Sequence, residues 1–151
     1  MPAFPKIREV HIRNYKSIEQ AVVRLGDLTV LVGVNGSGRS NFVDALSFVR
    51  DCVAESVDSA IRWRGGYGAL YWRAGSPSSA IGIRLVIDLP GGEVADYAIE
   101  LSGGEERPTT VAEERCVVTR ADGQVDRYSL KNGEFIEEIA GIRPQIGPGR
   151  L

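Results

Sequence analysis

Residues 28–60 place an apolar run, a glycine-rich loop and a helical pattern in immediate succession, and no other stretch restricts the fold as much. Leu28-Thr29-Val30-Leu31-Val32 is a nearly continuous apolar segment, which predicts a strand buried on both faces. Gly33-Val34-Asn35-Gly36-Ser37-Gly38-Arg39-Ser40 comes next without a gap. It fits the phosphate-binding pattern G-x-x-x-x-G-K-[ST] at every fixed position except Arg39, where the pattern has Lys. Phe42, Leu46, Val49, Val53, Val57 and Ala60 then recur at spacings of 4, 3, 4, 4 and 3, which is one face of a helix. That helix is expected to end before Gly65-Gly66, with a break near Asp58-Ser59.

Such a loop works by geometry. Its glycines let successive backbone N–H groups curl around a phosphate, and the N-terminus of the following helix adds partial positive charge. Gly33, Gly36 and Gly38 would shape the turn, Ser37 to Ser40 would present the N–H cradle, and the Ser40 hydroxyl is placed to ligate Mg²⁺. Arg39 keeps the charge of the usual Lys but is planar and bulkier, so the exchange is not conservative in a tight cradle. Weakened nucleotide binding and a larger loss of hydrolysis are expected from it.

The flanking segments read as strands. Ile7, Val10 and Ile12 suggest one that ends near Asn14-Tyr15, and Ala21–Leu25 a second, with a short turn at Gly26-Asp27 before residue 28. The second half changes character. Ile81–Leu89, Val94–Leu101, Val111–Thr119 and Val125–Leu130 are strand-like, and glycine-containing turns at 90–92, 102–104, 121–123 and 131–133 punctuate them. This predicts an antiparallel meander. The last eleven residues, GIRPQIGPGRL, read as a linker or a truncation point.

Composition narrows the classes. With 151 residues the chain is the size of one domain, and 43% apolar and 25% charged residues are ordinary for a globular protein. Net charge is −2, but residues 1–90 hold 11 Lys/Arg against 8 Asp/Glu, whereas 91–151 hold 7 against 12. Contact with nucleic acid is therefore expected in the first part, if anywhere. A lone His11 argues against His-rich metal sites and Ser-His chemistry. Cys52 and Cys116 lack metal-ligand spacing and are expected to be buried free thiols in a reducing cytosol. There is no apolar leader and no apolar stretch approaching the about 18 residues that a membrane helix needs. A cytoplasmic protein without membrane contact is expected.

The inner spelling points to a family. Asn35-Gly36-Ser37-Gly38, then Ser40-Asn41 and Asp44-Ala45-Leu46, resembles the Walker A segment of ABC-like ATPases, among them the SMC and RecF-like proteins, OLD-family nucleases and many bacterial AAA-family ATPases. Ile12-Arg13-Asn14-Tyr15-Lys16-Ser17-Ile18 resembles the opening element of those proteins, one hairpin upstream. The resemblance is specific over the first 50 residues and architectural to about residue 130. It implies an α/β fold of the α+β-lobe kind: the N-terminal lobe of a P-loop NTPase, with a central strand, P-loop and helix and an antiparallel β-meander subdomain. Residues 1–64 would be the nucleotide-binding core, 65–80 a Gly/aromatic loop, 81–140 the β subdomain and 141–151 the tail. It further implies ATP and Mg²⁺ as cofactors, held by Gly33, Asn35, Gly36, Ser37, Gly38, Arg39, Ser40 and Asn41, with Ser40 on the metal. Asn14 and Lys16 would lie near base or phosphates; an ordinary strand end with a solvated Lys is the competing reading.

Leu101-Ser102-Gly103-Gly104-Glu105 spells the ABC signature, LSGGE, but is expected to be a hairpin turn, since Pro108 would fall in the second turn of the helix a true signature opens. No apolar strand ending in Asp-Glu comes after it. Glu113-Glu114 is expected to be a charged outward face or turn edge rather than a substitute carboxylate pair. The chain thus lacks Walker B carboxylates, signature and switch His, and no residue in it is assigned a catalytic role. A C-terminal ATPase half, in the same or a separate chain, and a second head that pairs on ATP binding are the implied partners. DNA is a further candidate partner through Arg62-Trp63-Arg64, Tyr67 and Tyr71-Trp72-Arg73, a cluster that could equally pack inside. The functions that fit are an ATP-binding lobe in DNA-repair or defence machinery, or, alternatively, a non-hydrolysing nucleotide sensor or interaction module. A phosphotransferase would need a lid and a substrate segment that the sequence lacks.

Overall fold

A computed structural model describes residues 4–72, 74, 80–104, 108–132 and 134–139. Its elements run β1 (Lys6–Tyr15), β2 (Ile18–Arg24), α1 (Arg39–Ala54), α2 (Val57–Arg62), a 3₁₀ turn (Tyr67–Ala69), β3 (Ile81–Asp88), β4 (Val94–Ser102), β5 (Thr110–Thr119), β6 (Val125–Lys131) and β7 (Glu134–Ile139). All seven strands form one sheet in the order β2-β1-β3-β4-β5-β6-β7, every neighbouring pair antiparallel. The N-terminal hairpin and the meander are thus continuous, because β1 pairs with β3 from Lys6↔Asp88 to Arg13↔Gly82.

Strand alternation explains the two faces. Along β4, Ala95, Tyr97, Ile99 and Leu101 are buried and their neighbours are not, the period-2 pattern of a half-solvated sheet. Val10 and Ile12 of β1 and Ile81, Ile83 and Leu85 of β3 continue the same inner face. Onto it packs α1 through Phe42, Ala45, Phe48, Val49 and Cys52. The helical stripe therefore runs through Ala45, Phe48 and Cys52, and Val53, expected on it, points outward. The expected break moves too, from Asp58-Ser59 to Glu55-Ser56. Ser56 caps α2, its Oγ accepting from the Ser59 N–H at 3.1 Å, which supplies the bond a helix start lacks. β7 comes after the Lys131-Asn132 turn and has no counterpart among the strands expected from sequence.

One expected element does not form. Leu28–Val32 is not a strand, and Leu28, Val30 and Val32 are 85%, 71% and 86% exposed. The chain leaves the sheet after Leu25, whose N–H donates to Arg8 O at 2.8 Å, and no strand among the described residues pairs with residues 28–32. A strand needs neighbours for its backbone groups and its apolar side chains. Here it has neither. The class of fold nonetheless stands: a mixed α/β lobe in which the glycine loop leads directly into α1.

Candidate functional site

The loop is shaped by contacts that only glycine permits. A Cβ on Gly33 would lie 2.6 Å from Ser37 Oγ, so the loop closes over itself there. Gly38 has φ +89°, and a Cβ on it would meet Ser17 Oγ at 3.3 Å, in the β1–β2 turn. Ser37 N–H donates to Val34 O at 3.2 Å, and Phe42 N–H to Gly38 O at 2.8 Å opens α1. No side chain caps that helix, and its first turn holds no acidic residue. The first N–H groups of α1 are thus left for a ligand, at the positive end of a 16-residue helix. Gly33 to Ser37 and Ser40 are exposed. Arg39 folds back instead, Nη2 donating to Val34 O at 3.3 Å.

A groove of about 760 Å³ opens beside the loop, between Ile18, Ala21 and Val23 of β2, the exposed Val30–Val32 stretch and Ser37–Arg39. Its volume is in the range of small-molecule sites. A second depression, about 320 Å³, lies on the outer face of the sheet around Gly82 and Ala98. Its arginines are already engaged: Arg13 with Glu100 at 2.7 Å, Arg84 with Asp96 at 2.7 Å and Arg115 with Asp96 at 3.8 Å. That pattern is a charge-laced solvent face.

The residues expected around the nucleotide fall into two groups. Gly33, Asn35, Gly36, Ser37, Gly38, Arg39, Ser40 and Asn41 come together in the loop and first turn, and Asn41 Nδ2 donates to Ser17 Oγ at 2.7 Å. Asn14 and Lys16 lie at the turn between β1 and β2 and bond within the fold. Both have positive φ, 55° and 51°. Asn14 Nδ2 donates to Ala80 O at 3.0 Å, and Lys16 Nζ pairs with Asp44 Oδ2 at 2.6 Å.

Asp44, one turn beyond Ser40, is the hub that sequence reasoning missed. It also accepts from the buried Tyr15 hydroxyl at 2.6 Å and from Arg64 Nε at 3.1 Å. Arg64 continues to Asp51 at 2.8 Å and to Ala60 O at 3.0 Å, with its guanidinium 5.3 Å from the Phe48 ring centroid. Partial burial pushes the Asp44 carboxyl up, but hydrogen bonds from Lys16 and Tyr15 and the Arg64 charge outweigh it and hold the group below the ordinary carboxylate value. The only sequence signal was Asp44 itself, in the Asp-Ala-Leu spelling.

The remaining motifs resolve structurally. Leu101 and Ser102 end β4, paired with Val111 and Thr110 of β5, and open no helix. A Cβ on Gly103 would meet Thr109 Cα at 3.2 Å and the Tyr67 ring at 3.3 Å, which accounts for that glycine; Glu105 lies outside the described residues. Glu113 faces outward as expected, but Glu114 does not: it is 1% exposed, because β5 alternation turns it into the core. In the cation–aromatic cluster, Arg64, Tyr67 and Tyr71 are used internally, Tyr67 and Tyr71 stacked at 6.2 Å. Trp63 is exposed, Arg62 pairs with Asp58, and Arg73 lies outside the described residues. Cys52 is buried and its thiol is pushed up to about 12 by that burial; Cys116 is half-buried; both are free. Among the described residues no helix is long and apolar enough to cross a membrane.

Residues 6–59 match the AAA ATPase domain family. The chain is 41% identical over 44 residues to the chromosome partition protein Smc of Methanococcus voltae, covering 28% of this chain and 4% of that protein. It is 46% identical over 46 residues to structural maintenance of chromosomes protein 1 of Arabidopsis thaliana, covering 29% and 4%. To the DNA replication and repair protein RecF of Porphyromonas gingivalis it is 37% identical over 90 residues, covering 58% and 25%. The chain thus spans a quarter or less of the curated relatives it matches. With the glycine loop at the head of α1, these likenesses make the first part of the chain similar to an ATPase domain of the P-loop class. More narrowly, that part resembles the N-terminal lobe of an SMC/RecF-like P-loop ATPase.

Proposed function

We propose that this chain binds ATP with Mg²⁺ through GVNGSGRS, as the nucleotide-binding lobe of a larger ATPase head. The observation that carries this reading is the uncapped N-terminus of α1 beneath a loop that only glycines can form. The backbone N–H groups of Ser37 to Ser40 receive the phosphates. Arg39 leaves Val34 O to add its charge there, and Asn35 and Asn41 complete the rim. Ser40 offers a hydroxyl to Mg²⁺, whose other ligands come from phosphate and water. Asn14 and Lys16 support the site from the hairpin turn, Lys16 through Asp44.

Hydrolysis requires carboxylates and a signature that the loop side does not supply, so a C-terminal half and a second head complete the site. The exposed Leu28, Val30 and Val32 favour this, since strands from such a half would cover them. Residues 1–64 act as the core, 65–80 as a connecting loop, 81–140 as the β subdomain and 141–151 as the join. The relatives' names, chromosome partition and DNA replication and repair, favour DNA-linked work, and a cytoplasmic setting with a role in repair or defence is part of the same proposal. The back-bonded Arg39 favours the second reading, a sensor that holds nucleotide without turning it over.

Titration of the full chain with a fluorescent ATP analogue and Mg²⁺ tests the reading. Weak saturable binding without turnover is expected, tighter for Arg39→Lys and losing its Mg²⁺ dependence in Ser40→Ala. No saturable binding in either the native chain or Arg39→Lys would end it.

A further inference from the structure

On the inner face of the sheet lies a buried carboxyl group that no ion pair among the described residues neutralises. Glu114 Oε1 accepts from the Tyr128 hydroxyl at 2.9 Å and the Tyr97 hydroxyl at 3.1 Å. Its register neighbours are the buried Ile99 and Leu130. From α1, buried Cys52 lies within electrostatic reach of it, with Asp51 and Arg64 further along the same network. Cys116, two residues on, sits between Tyr97 and Tyr128 in register. The groups that face Glu114 are thus two tyrosines and two thiols, all neutral. Among the described residues no cation pairs with it.

A carboxylate in such surroundings is costly unless it is protonated or reaches water. Two donors on one oxygen offset part of that cost but supply no positive charge. The α1 residue within its reach is Cys52, in the last turn of the helix that opens at Arg39.

We propose that Glu114 is a proton-sensitive latch between the sheet and α1: protonated, it stays beneath the helix, and ionised, it must move toward water and loosens α1. Burial raises its titration above the ordinary 4.5, so the unfolded chain gives up this proton first. The native state is therefore favoured below about pH 4.5 by this group and loses that advantage as pH rises toward the folded value.

Thermal melting of the full chain without nucleotide, from pH 5 to 9, tests the latch separately from nucleotide binding. Relative to Glu114→Gln, which mimics the neutral acid, the melting temperature of the native chain should fall as pH rises across that range. In a Cys116→Ser background, labelling of Cys52 by a thiol reagent should rise with pH faster in the native chain than in Glu114→Gln. Tyr128→Phe, which removes a donor to the carboxylate, should steepen the pH dependence and serves if the Gln variant does not fold. Parallel melting profiles together with a labelling ratio that is constant in pH would overturn the proposal.

Discussion

Leu28–Val32 and β4 both read as strands and meet opposite fates. The first is a nearly continuous apolar run, the second alternates apolar and polar residues, and each leads into a glycine turn. β4 has β3 and β5 on either side and α1 over its inner face, so its apolar residues are buried in strict alternation. The segment before the phosphate loop has no paired strand among the described residues and leaves Leu28, Val30 and Val32 in solvent. Apolarity states a need for cover but not who provides it. Among the described residues the sheet side is covered, whereas the loop side leaves Leu28, Val30 and Val32 open, where the proposed ligand and partner would come in.

That contrast makes its largest prediction in the core. Phe48→Ala, at a fully buried position between Tyr15 and Arg64, should cost about 3–5 kcal/mol by denaturant unfolding. Asp44→Asn should cost about 1–3 kcal/mol at pH 7, because Lys16 and Arg64 lose a shared acceptor. The Asp44 carboxyl titrates below its ordinary 3.8, so its contribution is present above that value and lost as pH falls through the folded one. Native and Asn curves should therefore converge in strong acid. Gly103→Ala should cost about 1–2 kcal/mol, through Tyr67 and Thr109, and leave nucleotide affinity unchanged. A loss of affinity there would revive LSGGE as part of the site. Val32→Ser is the smallest, within about 0.5 kcal/mol in this chain, since nothing is buried by Val32. A loss above that would mean the stretch is covered after all.

Much of the fold was legible because its signals are local. Glycine turns at 90–92 and 121–123 and period-2 alternation mark the meander, and the loop spelling marks the head of α1. What escaped depends on tertiary neighbours. Glu114 reads as a surface charge until β5 register turns it toward Tyr97 and Tyr128. Lys16 reads as a neighbour of base or phosphates or as a solvated strand-end Lys, and its ion pair with Asp44 at 2.6 Å is in neither reading. Arg64, Tyr67 and Tyr71 read equally as a nucleic-acid platform or as internal packing, and the cation and rings are used in packing α1, α2 and the β4 end. Ser56 outranks Ser59 as a helix start because its hydroxyl meets an otherwise unpaired N–H.

Hydrogen exchange on the full chain with and without ATP and Mg²⁺ compares the two sides directly. The account predicts slowed exchange at residues 33–41 and at the 14–18 turn that touches them, with β4 to β6 protected equally in both conditions. Unchanged exchange across the loop at saturating nucleotide, or protection confined to the meander, would contradict it.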